Sequence, residues 1–162
     1  VDFVSELRHG QIRIGSPTGY TGPIMAEVQK RAGAAGFAPD AVVHSGQVPA
    51  GRPAPYMCYL NAIQLDVYPF EAMVKIGDTP VDVQEGLNAG MWTIALTRTG
   101  NELGLSPAET EALDPGELDD RLQEIARRMR AAGAHYTAGS AADCLPLIEE
   151  IAERLREGER PV

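Results

Sequence analysis

The run from Val74 to Leu96 constrains this chain more than any other. Val74-Lys75-Ile76, opened by Met73 and broken only by Lys75, has the length and apolarity of a short buried strand. Gly77 lets the backbone turn, which leaves Asp78 at the strand's carboxyl end. Pro80 suits a first helical position, where its missing N–H would have no partner anyway. Gly90 fits the left-handed residue that closes a helix, and Met91 to Leu96 reads as the next strand. Asp82 stands four residues after Asp78, so the turn into the helix can aim both carboxylates at one point. Two hard oxygen ligands at the end of a parallel strand suit Mg²⁺ when a substrate phosphate supplies another. The same pair also fits a turn aspartate followed by a surface aspartate, and the residues alone leave both readings open.

Helix and strand signals alternate along the rest of the chain. Phe3 to Arg8 predicts a helix and Ile12-Arg13-Ile14 a strand, followed by the small and hydroxyl-rich turn Gly15-Ser16-Pro17-Thr18-Gly19-Tyr20-Thr21. Ser16 and Thr18 in such a turn can hold an anion, or simply cap the next helix. That helix carries Ile24, Met25, Val28 and Ala32 at helical spacing and is expected to close at Gly33 and Gly36. Ala41 to His44 is a third short apolar run. Val48 to Pro55 is a Pro-rich loop with one arginine, Arg52, which reads either as a fork for a phosphate or as a solvated charge. Met57 to Leu65 predicts an apolar helix. Beyond the Trp92 strand come a polar loop to Leu105, a capping box at Ser106, a charged helix from Glu117 to Ala132, an edge strand at Ala134 to Thr137 and a last helix from Asp143 to Arg156.

This alternation predicts one α/β domain over 1–162, Rossmann-like, with a mainly parallel sheet. Ligands of such sheets sit at the carboxyl ends of the strands. Ser16, Thr18, Arg52, Asp78 and Asp82 all fall at or just after such ends. The net charge of −9 argues against nucleic acid or an anionic membrane as partner. No apolar run reaches membrane-spanning length, and Cys58 and Cys144 show no metal or redox spacing. A reduced, cytoplasmic setting is expected.

At Ile14 to Thr21, Val48 to Pro53, Lys75 to Thr79 and Glu85 to Thr93 the chain resembles the haloacid-dehalogenase-like hydrolases, and among them the phosphonoacetaldehyde hydrolases. The likeness continues through Glu102-Leu103-Gly104-Leu105 and Gly133 to Thr137. The resemblance implies a Mg²⁺-dependent hydrolase that splits the carbon–phosphorus bond of a small phosphonate, phosphonoacetaldehyde, to acetaldehyde and phosphate. A lysine Schiff base and an aspartyl-phosphate carry that chemistry. It further implies that Ser16, Thr18 and Tyr20 face the substrate and that Arg52 offsets phosphoryl charge as a catalytic cation. Asp78 would ligate Mg²⁺ with Asp82 supporting it, and the parent enzyme would be a homodimer.

The chain departs from the family's pattern in four respects. No Asp-x-Ala-Gly-Thr segment is present, and neither lysine, Lys30 or Lys75, stands in the Schiff-base context. Pro17 takes a position where the family commonly has a hydroxyl, and Ser45-Gly46-Gln47 replaces an acidic pair. The expectation is therefore a core in which the first strand and the helical cap are missing, the post-cap portion of such an enzyme. A phosphatase for a small phosphate monoester and a non-catalytic phosphate- or partner-binding module are the alternatives.

Overall fold

The computed structural model describes residues 2–161. From the amino terminus run α1 (Asp2–His9), β1 (Gly15–Thr18), α2 (Gly22–Ala34), β2 (Ala41–His44) and α3 (Tyr56–Leu65). There follow β3 (Val74–Gly77), α4 (Pro80–Asn88), β4 (Trp92–Leu96), α5 (Pro107–Ala112), α6 (Pro115–Ala131), β5 (Tyr136–Ala138) and α7 (Leu145–Arg156). Every strand pairing is parallel. β1 lies beside β2 with Gly15 opposite Ala41, and a second sheet has the order β3-β4-β5, with Val74 opposite Trp92 and Ile94 opposite Tyr136. Among the described residues the two sheets share no strand pairing. The α/β class and parallel sheet expected from the alternation are what the chain forms.

The larger sheet is covered on both faces. Val83, Ala95, Leu103, Ile125 and Met129 fill the side under α4 and α6, and Trp92, Ile94, Ala138, Cys144 and Ile151 fill the side under α7. A parallel strand buried on both faces needs no polar alternation, which is why Trp92 to Leu96 is apolar but for the buried Thr93. Helix α3 packs on β1 and β2 and, through Cys58, meets Ala89 and Met91 beyond α4. It thereby ties the small sheet to the large one. Among the described residues no helix is long and apolar enough to cross a membrane.

The first strand is not where hydrophobicity puts it. Ile12 and Ile14 are bound elsewhere: Ile12 N–H donates to the Leu7 carbonyl at 2.9 Å and Ile14 N–H to Asp40 Oδ2 at 2.8 Å. The ladder begins with the Ile14 carbonyl, which accepts from Asp40 N–H at 2.7 Å and Ala41 N–H at 3.2 Å. β1 is therefore Gly15-Ser16-Pro17-Thr18, read from sequence as the turn after the strand. Gly15 is required because a Cβ there would lie 2.8 Å from Asn61 Oδ1 of α3. Backbone groups alternate sides along a parallel strand. With Ile14 facing β2, Ser16 faces it too, and Gly15 and Pro17 face away. Pro17 thus lacks its N–H on the side that has no ladder.

Elsewhere the differences are small and have local causes. Gly33 lies inside α2, and Gly36, at φ 89°, ends that segment. α6 starts at Pro115, two residues before Glu117, because Asp114 Oδ1 accepts from Gly116 N–H and Glu117 N–H. A 3₁₀ turn at Ala141–Cys144 precedes α7. The capping box at Ser106 and Glu109 is formed.

Candidate active site

Two glycines let α4 lie close against β3. A Cβ on Gly77 would fall 2.2 Å from Asp82 Cβ, and one on Gly86 would fall 2.7 Å from Lys75 Cβ and 2.6 Å from Thr93 Cγ2. The first turn of α4 then closes on itself. Asp82 N–H donates to Thr79 Oγ1, while Thr79 N–H and the Thr79 hydroxyl donate to Asp82 Oδ2 at 3.2 and 2.6 Å. Asp82 is thus a capping-box partner of Thr79.

Its other oxygen enters a buried cluster of four charges. Arg52 Nη1 lies 3.0 Å from Asp82 Oδ1, and Lys75 Nζ lies 3.4 Å from the same atom. Arg52 Nε is 3.3 Å and Lys75 Nζ 2.5 Å from Glu85 Oε2. Glu85 is fully buried, the Lys75 and Asp82 side chains are 7% and 5% exposed, and that of Arg52 is 28% exposed. Two cations meet two anions, so the cluster is neutral. Burial works to raise the Asp82 carboxyl, but the Thr79 hydroxyl, Lys75 and Arg52 outweigh it and hold the group below the usual carboxylate value. Burial, with the charge of Glu85 behind it, pushes the nearby Cys58 thiol up to about 12. That thiol stays protonated and is no nucleophile.

Arg52 also reaches the other sheet. Its Nη2 donates to the Pro17 carbonyl at 2.9 Å, on the side of β1 that faces away from β2. One guanidinium therefore spans from α4, next to the larger sheet, to β1. A guanidinium has five N–H donors. Arg52 donates one of them, on Nη2, to Pro17; its contacts to Asp82 and Glu85 are ion pairs, and Nε is buried with no hydrogen-bond partner among the described residues.

Asp78, half-buried at the end of β3, accepts from Asn101 N–H at 2.9 Å and from Asn101 Nδ2 at 2.7 Å, both at Oδ2. Its Oδ1 is left for another partner. Among the described residues no group of three or more His, Cys, Asp or Glu is placed to hold a metal ion. Both oxygens of Asp82 are taken by Thr79, Arg52 and Lys75. The donor set offered to a magnesium ion is thus one carboxylate oxygen from Asp78. That fits an ion which keeps several waters and takes one or two carboxylates beside phosphate oxygens.

Ser16 and Thr18 lie in β1, and Thr18 Oγ1 accepts from Tyr20 N–H at 3.2 Å, which fixes the turn after the strand. Tyr20 is 54% exposed. These residues line a cavity of about 360 Å³ against α2, walled by Met25, Val28 and Phe37. A second cavity, about 380 Å³, lies among Arg8, Ile12, Arg13 and Leu65. Neither is lined by Arg52, Asp78 or Asp82. The structure brings Arg52 to Asp82 and to β1. Lys75 and Glu85 were not among the residues expected at the site. The available signal was the one lysine inside an otherwise apolar strand, since a buried ammonium needs a counter-charge.

No protein-family model matches the chain. A phosphonoacetaldehyde hydrolase-like protein of Syntrophobacter fumaroxidans is 55% identical over 161 residues, covering 99% of this chain and 58% of that protein. A phosphonoacetaldehyde hydrolase of Nitratidesulfovibrio vulgaris is 49% identical over 160 residues, 57% of its length. The crystal structure of a phosphonoacetaldehyde hydrolase-like protein from Oleispira antarctica superposes with TM-score 0.96 at 35% identity, over 99% of this chain and 58% of that one. A HAD-family hydrolase of Deinococcus radiodurans, solved with phosphate and sodium, matches in fold at TM-score 0.68 and 19% identity. The chain spans somewhat more than half the length of these relatives. Along nearly all of its own length, then, it is a homologue of the phosphonoacetaldehyde hydrolases, with the α/β fold of the haloacid-dehalogenase-like hydrolases.

Proposed function

We propose that the chain is the phosphoryl- and magnesium-binding portion of a hydrolase that cleaves the carbon–phosphorus bond of phosphonoacetaldehyde. The observation that carries this reading is the span of Arg52 between the Pro17 carbonyl and the Asp82 and Glu85 carboxylates, which joins the Ser16–Thr18 strand to the Asp78–Asp82 turn. The Nη N–H groups of Arg52 that Pro17 does not take offer a fork to a phosphoryl group. Ser16 and Thr18 supply hydroxyl donors to the same group, and Tyr20 borders the substrate from the turn beyond. Asp78 Oδ1 would hold Mg²⁺, and Asp82 supports that end of the site by fixing Thr79 and Arg52. The ion, when bound, offsets phosphoryl charge.

In this reading the nucleophilic aspartate and the Schiff-base amine are not among these 162 residues. Lys75 is buried against Glu85 and Asp82, and Lys30 is exposed on α2, so neither is set to meet an aldehyde. Covalent catalysis is missing and only positioning and electrostatics remain. The purified chain should therefore release no acetaldehyde from phosphonoacetaldehyde. It should still bind inorganic phosphate in the presence of Mg²⁺, with amide shifts at residues 16–19 and 78–82 that disappear in Arg52→Met. Phosphate shifts confined to other segments, or turnover by the chain that Asp78→Ala abolishes, would refute the reading.

A further inference from the structure

Arg52 sits on an irregular loop, and an arginine side chain on a loop has many rotamers to lose. What fixes it is α4. Asp82 and Glu85 stand three residues apart on one helix face, and each gives one oxygen to the guanidinium, at 3.0 and 3.3 Å. Two buried carboxylates on a single arginine would leave an unbalanced negative charge in the interior. Lys75, arriving from β3, contacts the same two oxygens, Glu85 Oε2 at 2.5 Å and Asp82 Oδ1 at 3.4 Å. It is the inner cation and Arg52 the outer one. The space for the lysine stem is made by Gly86, where any Cβ would meet Lys75 Cβ.

A buried Lys–Glu pair is a poor stabiliser compared with apolar side chains of the same volume. Glu85 also leaves Oε1 buried with no hydrogen-bond partner among the described residues. We propose that Lys75 and Glu85 are a positioning pair: Glu85 holds the Arg52 guanidinium by an ion pair at its buried Nε, which has no hydrogen-bond partner among the described residues, so that the Nη groups face the phosphoryl position, and Lys75 supplies the charge that lets Glu85 be buried there. The functional half of this inference rests on the reading of Arg52 as the phosphoryl-contacting cation.

The test uses the double variant Lys75→Met/Glu85→Gln, which removes one charge of each sign and keeps side-chain volume. In the ¹⁵N-labelled chain the Arg52 Nε–Hε signal should exchange slowly with water, unlike that of the exposed Arg31. In the double variant it should exchange markedly faster than in wild type while the thermal midpoint is kept, and the affinity for inorganic phosphate should fall roughly tenfold or more. Lys75→Arg, which keeps the cation, should retain the slow signal. If the double variant does not fold, Glu85→Gln alone carries the test. An Arg52 signal equally slow in wild type and variant, or fast already in wild type, overturns the proposal. If the pair holds the signal but phosphate never shifts it, the pair positions Arg52 and the phosphoryl reading of Arg52 fails. If phosphate shifts it with equal affinity in both proteins, that reading stands and the pair has no positioning role.

Discussion

Lys75 shows how far a single residue can carry this site. Removing it alone, in Lys75→Met, leaves Asp82 and Glu85 buried with only Arg52 between them. Breaking a buried ion cluster by deleting one partner costs about 3–5 kcal/mol. Urea unfolding should show a loss of that size in the single variant and recovery of most of it in Lys75→Met/Glu85→Gln. A single variant as stable as wild type would mean that the four charges do not share one buried space. At Asp78 the expected outcome is weak Mg²⁺ binding that Asp78→Ala abolishes, read by titration calorimetry, since one carboxylate oxygen is a sparse set for this ion. Tight binding that survives the substitution would take Asp78 out of the site. The placing of Asp78 and Asp82 after a strand end and of Arg52 on a loop was legible because strand ends and a rigid loop announce themselves in sequence. The engagement of Asp82 with Thr79 went unread although Thr-x-x-Asp has capping-box spacing, because it competes with metal ligation for the same oxygens, and only distances show which partners hold them. Glu85 was hidden. A glutamate in a helix reads as a solvent-facing residue until the helix is known to lie on a lysine.

At the scale of elements, β1 and β3 each have one edge that no described strand pairs. The parallel ladder fixes which amides face that edge. The Met73 carbonyl accepts from Trp92 N–H, so Lys75 and Gly77 face β4, while Val74 and Ile76 face away. By the same alternation Gly15 faces away from β2 and Ser16 faces it. Amide exchange should therefore be faster at Gly15, Val74 and Ile76 than at Ser16 and Lys75, by roughly an order of magnitude or more. Equal protection at all five would show that another segment pairs along both edges. Gly86→Ala tests the approach of α4. Its methyl must displace Lys75 and Thr93 side chains in a packed layer, an overpacking that costs about 1–3 kcal/mol. The helices and β3 to β5 were readable from apolar spacing, caps and glycines. β1 was not, because Gly-Ser-Pro-Thr has no aliphatic side chain. Its strand character comes from pairing with β2 and from α3 lying over Gly15, both set by residues more than twenty positions away.

For the molecule as a whole, the depressed carboxylates set how it responds to acid. The Asp82 carboxyl has a lower pKa in the folded chain than in the unfolded one, despite its burial, because Thr79, Lys75 and Arg52 favour the ionised form. Asp40 is depressed as well, first by the Ile14 N–H and then by Arg8, with which it pairs at 2.9 Å. A depressed carboxylate contributes its full stability above the unfolded pKa, about 4 for aspartate, and loses it as pH falls through the folded value. Stability should thus be flat in these groups from neutral pH down to about 5 and decline below about 4. Asp82→Asn keeps the side chain's size but cannot balance Lys75 and Arg52, so it should be less stable than wild type at neutral pH. Because wild-type Asp82 takes up a proton on acidification and the asparagine does not, the two stabilities should converge as pH falls. Asp40→Asn should show the same convergence from a smaller starting gap, since the Asp40–Arg8 pair is near the surface and screened by solvent. Urea midpoints measured across this range for the three proteins check both statements. A gap between wild type and Asp82→Asn that stays constant into acid would mean that Asp82 is not held ionised by its cluster, and that Arg52 and Lys75 owe their places to something other than its charge.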